Sequence, residues 1–137
     1  MTVQNTPDTN PGYYKNRAHE CIEFTQYLNF NLGNAFKYIW RHKEKNGRED
    51  LEKAMWYLKR QRDDAPKFKR LKYRRYDEMY GDLKDCGFDG DTEDALMSVL
   101  FAAYYGNNLG GEDNFAWATA CVKTLLDKMP SETEQEE

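Results

Sequence analysis

Leu32, Ala35, Phe36, Ile39 and Trp40 recur at intervals of three and four residues, and Asn46-Gly47 follows closely. A stretch written this way buries one stripe only as an α-helix, because a strand would scatter those side chains over both faces. The same period returns along the chain. Cys21, Phe24, Thr25 and Leu28 predict a first helix over roughly 17–28, and the stripe just described a second over roughly 31–45, stopped by Asn46-Gly47. Leu51, Ala54, Met55 and Leu58 predict a third, from near Arg48 to just before Pro66. A fourth, over 67–85, opens with Lys67, Lys69, Arg70, Lys72, Arg74 and Arg75 and turns acidic in its second half. A fifth, over roughly 92–105 and capped by Asp91 or Thr92, is apolar on nearly every side and belongs in the core. Phe115, Ala118, Val122 and Leu125 place a sixth over roughly 112–129, stopped by Pro130. The expected fold is an all-α bundle of about six helices. It comprises an N-terminal three-helix module over 13–63 and a helical region over 64–130 packed on it. A disordered arm at 1–12 and an acidic tail at 131–137 flank them.

No run of about 18 apolar residues offers a membrane span. The opening MTVQNTPDTNPG has neither the charged nor the apolar segment of a signal peptide. Three widely spaced cysteines, Cys21, Cys86 and Cys121, fit neither a disulfide framework nor a zinc motif, so buried thiols in a reducing, cytoplasmic setting are expected. The net charge of −4 conceals a division: residues 1–75 carry a balance of +8 and residues 76–137 one of −12. Such a split implies different partners for the two halves, or halves that face each other.

Opposite the Leu32/Phe36/Ile39 stripe, Asn34, Lys37, Arg41 and Lys45 fall within about 80° of one another on a helical projection. Cations and a carboxamide on one face suit a phosphate chain, Arg offering a planar donor fork and Lys a movable charge. An ordinary solvated face has the same composition. Glu20 and Glu23 neighbour each other on the first helix, and Glu49, Asp50 and Glu52 open the third. Carboxylates from two helices suit a Mg²⁺ that bridges phosphates, although acids in a first turn also simply favour the helix dipole. On this reading Arg41→Ala, a change on an exposed face, costs under about 0.5 kcal/mol. Phe36→Ala in the core costs roughly 3–5 kcal/mol. The basic run from Lys59 to Arg75, interleaved with Phe68 and Tyr73, has the make-up of a nucleic-acid contact or of a solvated helix facing the acidic half. The Asp85–Leu96 loop lacks the third and last ligands of a calcium loop. His19 and His42 lack zinc spacing, and no GxxxxGK[ST] loop is present.

The blocks Gly33-Asn34-Ala-Phe-Lys37-Tyr38-Ile-Trp-Arg41 and Glu49-Asp50-Leu51-Glu-Lys53-Ala54-Met-Trp-Tyr57-Leu58, joined by a short Lys/Gly-containing turn, resemble a known family. It is the phage-encoded nucleotide-kinase-like family, a small helical module whose members are mostly of unknown function. The resemblance covers about residues 11–63. It implies Asn34, Lys37, Tyr38, Arg41, Asp50, Lys53 and Tyr57 as the polar positions of a nucleotide site. Two departures stand out: Tyr13-Tyr14 replaces the family's His-Tyr pair, and Arg41-His42-Lys43-Glu44-Lys45 replaces its Arg-Ala-Gly-Lys turn.

The residue reading and the resemblance meet on the second helix. Together they predict a phage or prophage protein that binds a (deoxy)nucleotide and transfers a phosphoryl group as a nucleoside-monophosphate kinase does. Pyrophosphohydrolysis is the weaker enzymatic reading. Lys37, Arg41, Asp50 and Glu23 are the expected catalytic groups, Asn34, Tyr38, Lys45, Lys53 and Tyr57 the ligand-binding ones, and Glu20, Glu23 and Asp50 the Mg²⁺ ligands. The alternative is a non-catalytic early protein that uses its charge-segregated surfaces to bind a host protein or nucleic acid, alone or as a homo-oligomer.

Overall fold

Asn29 turns the chain into its principal helix. Its extended backbone and its side-chain oxygen, which accepts the Leu32 N–H at 2.8 Å, satisfy a donor that the helix start leaves open. In the computed structural model, which describes residues 17–64, 68–106 and 113–130, six α-helices follow one another. They are α1 (Ile22–Thr25), α2 (Phe30–Arg41), α3 (Arg48–Asp63), α4 (Tyr73–Lys84), α5 (Gly90–Tyr105) and α6 (Ala116–Asp127); a 3₁₀ turn, His42–Glu44, extends α2. The fold is an all-α bundle. The arm and acidic tail expected at the chain ends lie outside the described residues. None of the described helices is long and apolar enough to cross a membrane.

α2 packs most extensively on α3 and also meets α1 and α5, while α5 lies between α4 and α6 and α6 closes back onto α3. The core joins Phe24, Leu32, Phe36, Ile39, Leu51 and Leu58 of the first helices to Leu83, Leu96, Leu100, Phe115 and Val122 of the later ones, all buried. Phe24 stacks on Phe36 at 5.3 Å, and Trp40 meets Phe88 edge-on at 4.7 Å. Such aromatic pairs add to the area they bury.

Three boundaries differ from those the sequence predicts. The first helix shrinks to a single turn, because the N–H groups of Glu23, Phe24, Tyr27 and Leu28 reach back three residues rather than four. β-Branched Ile22 and Thr25 favour this tightening, and so does the need to bring Asn29 into a capping position. The fourth helix starts at Tyr73, not near 67, and residues 68–72 run without helix. Like charges three and four residues apart, Lys69–Lys72 and Arg70–Arg74, oppose a helix there. The Leu71 N–H instead donates to the Ala103 carbonyl, and its side chain is buried. The fifth helix is capped by Asp89, not by Asp91 or Thr92: the Asp89 carboxylate accepts the Thr92 N–H and a 2.8 Å bond from Lys43. Burial alone would raise its pKa, but these donors hold it down at about 2. Positive φ is used at both kinds of boundary: Gly47 (+50°) precedes α3 and Gly106 (+84°) ends α5.

Candidate functional site

Tyr38 is the centre on which the cationic side chains of α2 and α3 converge. Lys37 Nζ lies 4.5 Å from its ring centroid, the Arg41 guanidinium 4.9 Å and Lys53 Nζ 5.5 Å. Tyr57 stacks on the same ring at 6.0 Å with the planes 16° apart. The helical period explains the gathering. Lys37, Tyr38 and Arg41 span one turn of α2, Lys53 and Tyr57 one turn of α3, and the α2–α3 packing brings the two turns together. A ring face attracts cations through its quadrupole, so Tyr38 holds like charges close without neutralising them.

Arg41 is less exposed than the sequence suggests. Its side chain is 14% exposed, and its Nη2 donates to Asp50 Oδ1 at 3.3 Å, Asp50 itself being fully buried. The second Asp50 oxygen accepts the Asn46 N–H at 3.2 Å. The expectation that Arg41→Ala leaves stability nearly intact is therefore corrected: removing the guanidinium strands a buried carboxylate. Lys53 pairs with Glu49 at 3.0 Å, and that hydrogen bond holds its pKa above the usual lysine value, so it stays charged. Asn34 donates to the Phe30 carbonyl at 2.8 Å. With Lys37, Phe30, Gly33 and Leu28 it lines a depression of about 240 Å³. Lys45 is exposed at the end of the 3₁₀ turn.

Two aromatic residues outside the expected set complete this face. Phe30 is 74% exposed and meets Tyr57 at 5.9 Å, and Trp56, 60% exposed, meets Tyr57 edge-on at 5.1 Å. The sequence signal for them was that both fall off the buried stripes of amphipathic helices. An aromatic ring there faces water. Buried Gln61 was also missed. Its Oε1 accepts from both Asn29 (2.7 Å) and Asn31 (3.0 Å) and so fixes the start of α2.

Two of the carboxylates expected to hold Mg²⁺, Glu23 and Asp50, have partners within the protein. Glu23 accepts the Glu20 N–H on one oxygen and bonds His19 Nδ1 with the other. The same imidazole reaches Asp82 on α4 at 3.6 Å. Its pKa is raised, chiefly by the Glu23 bond. Asp50 is committed to Arg41 and Asn46, and among the described residues no group of three or more His, Cys, Asp or Glu side chains is arranged to hold a metal ion.

The thiols are free; Cys21 and Cys86 are buried and Cys121 is only partly so. Burial pushes Cys21 up to about 12 and Cys86 to about 11, leaving them protonated and poor nucleophiles.

A family model described as a protein of unknown function (DUF3310) matches residues 9–59. That span contains α1, α2 and most of α3, the elements that build the Tyr38 face, and the matched family's description names no activity. No curated protein and no solved structure matches the chain.

Proposed function

We propose that the α2–α3 face binds a nucleotide, with Lys37, Arg41 and Lys53 on its phosphates and Phe30, Trp56 and Tyr57 offering ring surface to its base. The observation that carries this reading is the convergence of three cations from two helices on the Tyr38 ring. Charge held by ring quadrupoles and one buried carboxylate is preorganised, so little ordering remains to be done when an anion arrives. Asn34, with Lys37 at the edge of the neighbouring depression, orients the ligand. Mg²⁺ belongs to this reading as an ion carried by the nucleotide's own phosphates.

The resemblance to phage-encoded nucleotide-kinase-like proteins supplies the reaction class for a phage or prophage enzyme. The terminal phosphoryl group of a triphosphate passes to a phosphate oxygen of a deoxynucleoside monophosphate. One P–O bond forms as the bond to the β-phosphate breaks, and two diphosphates result. The attacking oxygen is already anionic near neutral pH, so the step needs no general base. This suits a face whose two carboxylates, Asp50 and Glu49, are already paired with Arg41 and Lys53. Charge stabilisation and alignment are what such a transfer chiefly requires.

The test is thermal unfolding with a panel of nucleoside mono- and triphosphates, each with and without Mg²⁺, on the wild type and on Lys37→Gln and Lys53→Gln. At ligand concentrations about 100-fold above Kd the wild type gains about 2.7 kcal/mol. Both variants should lose most of that gain while keeping their ligand-free Tm. Conversion of a triphosphate–monophosphate pair into two diphosphates then separates a kinase from a nucleotide binder. Absence of stabilisation by every nucleotide, or equal stabilisation of both variants, defeats the proposal.

A further inference from the structure

The Tyr38 face leaves most of the cationic residues of the chain unused. Lys69, Arg70, Lys72, Arg74 and Arg75 occupy the non-helical stretch before α4 and its first turn. Together with Gln26, Tyr27, Leu28 and Asn29 they line a depression of about 530 Å³ in which Glu78 is the one acidic lining residue. Arg75 pairs with Glu78 at 3.4 Å and lies over the Tyr27 ring at 4.0 Å. On its other side the same Lys69–Lys72 stretch lines a second depression of about 520 Å³, walled by Tyr73, Tyr104 and Tyr105. Leu28 and Asn29 are in turn shared with the smaller depression at Asn34 and Lys37. Shared walls make the three depressions consecutive. The stretch itself is anchored, since the Leu71 N–H is bonded to Ala103 and Arg70 reaches the Tyr105 carbonyl at 3.4 Å.

We infer that this trough binds single-stranded nucleic acid. A row of cations spread over successive depressions matches the repeating charge of a phosphodiester backbone, whereas one phosphate would engage only a part of it. Tyr27, Tyr73 and Tyr105 are exposed along the row. Exposed rings stack on bases only when those bases are unpaired, which favours a single strand over a duplex. Residues 76–137, with a charge balance of −12, repel a polyanion and keep it on the cationic side of the molecule. At the end of the trough Asn34 and Lys37 are shared with the proposed nucleotide site, while the cation row Lys69–Arg75 and the ligand are different.

Fluorescence anisotropy of the full chain with a labelled oligothymidylate of about 12 nucleotides, within the range one single-strand module covers, tests it. The comparisons are a duplex of equal length and the variants Lys69→Gln/Arg74→Gln and Tyr73→Ala. The expected result is binding at about 50 mM salt that weakens as salt rises. The duplex should bind at least tenfold more weakly. The double variant should lose about tenfold in affinity and shrink the log–log salt slope by about 1.4, at about 0.7 per phosphate contact. Tyr73→Ala should weaken binding with the slope unchanged, which separates stacking from charge. No binding at low salt, duplex affinity equal to that of the single strand, or a double variant that folds and binds as the wild type does would each overturn the inference.

Discussion

Two cationic regions of this protein contain the same residue types and treat them in opposite ways. Around Tyr38 the cations sit on regular helices, lie over an aromatic ring, and two of the three, Arg41 and Lys53, are paired with acids. In the 69–75 stretch the backbone forgoes helix for its first part, and among Lys69, Arg70, Lys72, Arg74 and Arg75 the described ion pairs include only Arg75–Glu78. For Arg41, whose side chain is 14% exposed, the difference is one of desolvation. A charge that helix packing half-buries must be matched by a partner or a quadrupole, and it then has a fixed place. A charge left in water needs no partner and keeps its mobility. Fixed charge suits a discrete ligand held in one geometry. Mobile charge suits a repeating polyanion.

The largest effect that breaks or upholds this contrast is Arg41→Ala. It should cost about 3–5 kcal/mol in chemical denaturation, because Asp50 is left buried and uncompensated. Phe36→Ala, from the centre of the core, should cost about the same. Lys69→Gln should stay within about 0.5 kcal/mol. A cheap Arg41→Ala would mean that the two regions do not differ in kind. Next in size is Gly106→Ala, at about 1–2 kcal/mol for a side chain forced to positive φ. Its Cβ would approach Arg70 Cδ to 2.5 Å, so that flexible side chain must move, and oligonucleotide affinity should fall with little change in nucleotide binding.

The smallest effect is a pH slope. His42, at the end of α2, donates from Nδ1 to the Ile39 carbonyl at 2.7 Å, and burial lowers its pKa below 6.5. The unfolded chain therefore takes up the proton first, and stability falls as pH drops from about 6.5. His19, raised by Glu23, acts with the opposite sign: its contribution is full below 6.5 and is lost as pH rises through the folded value. Denaturation midpoints between pH 5 and pH 8 should tilt one way in His42→Gln and the other in His19→Gln. Tilts of the same sign would contradict these environments.

Helix periodicity made the core legible. Every apolar position read on the second and sixth helices is buried, and so are Leu51, Ala54 and Leu58 on the third. The gathering of Lys37, Tyr38, Arg41, Lys53 and Tyr57 was half legible: spacing placed each group on one helix, but only the packing of α2 on α3 could superimpose them. The partner of Arg41 was hidden for the same reason. Asp50 reads as a first-turn acid in a helix favoured by its dipole, and nothing in a linear pattern says that the turn is buried. The non-helical 68–72 stretch was missed because propensity favours Lys and Arg in helices, and local repulsion together with the Leu71–Ala103 bond overrode it.

Calorimetric titration of a deoxynucleoside triphosphate with Mg²⁺ into the wild type, Lys53→Gln and Lys69→Gln/Arg74→Gln tests the Tyr38 face most directly. Lys53→Gln should weaken binding about tenfold, worth about 1.4 kcal/mol, and the double variant should stay within about twofold of the wild type. A nucleotide that ignores Lys53 and follows Lys69 and Arg74 would move the phosphate site to the trough and contradict it.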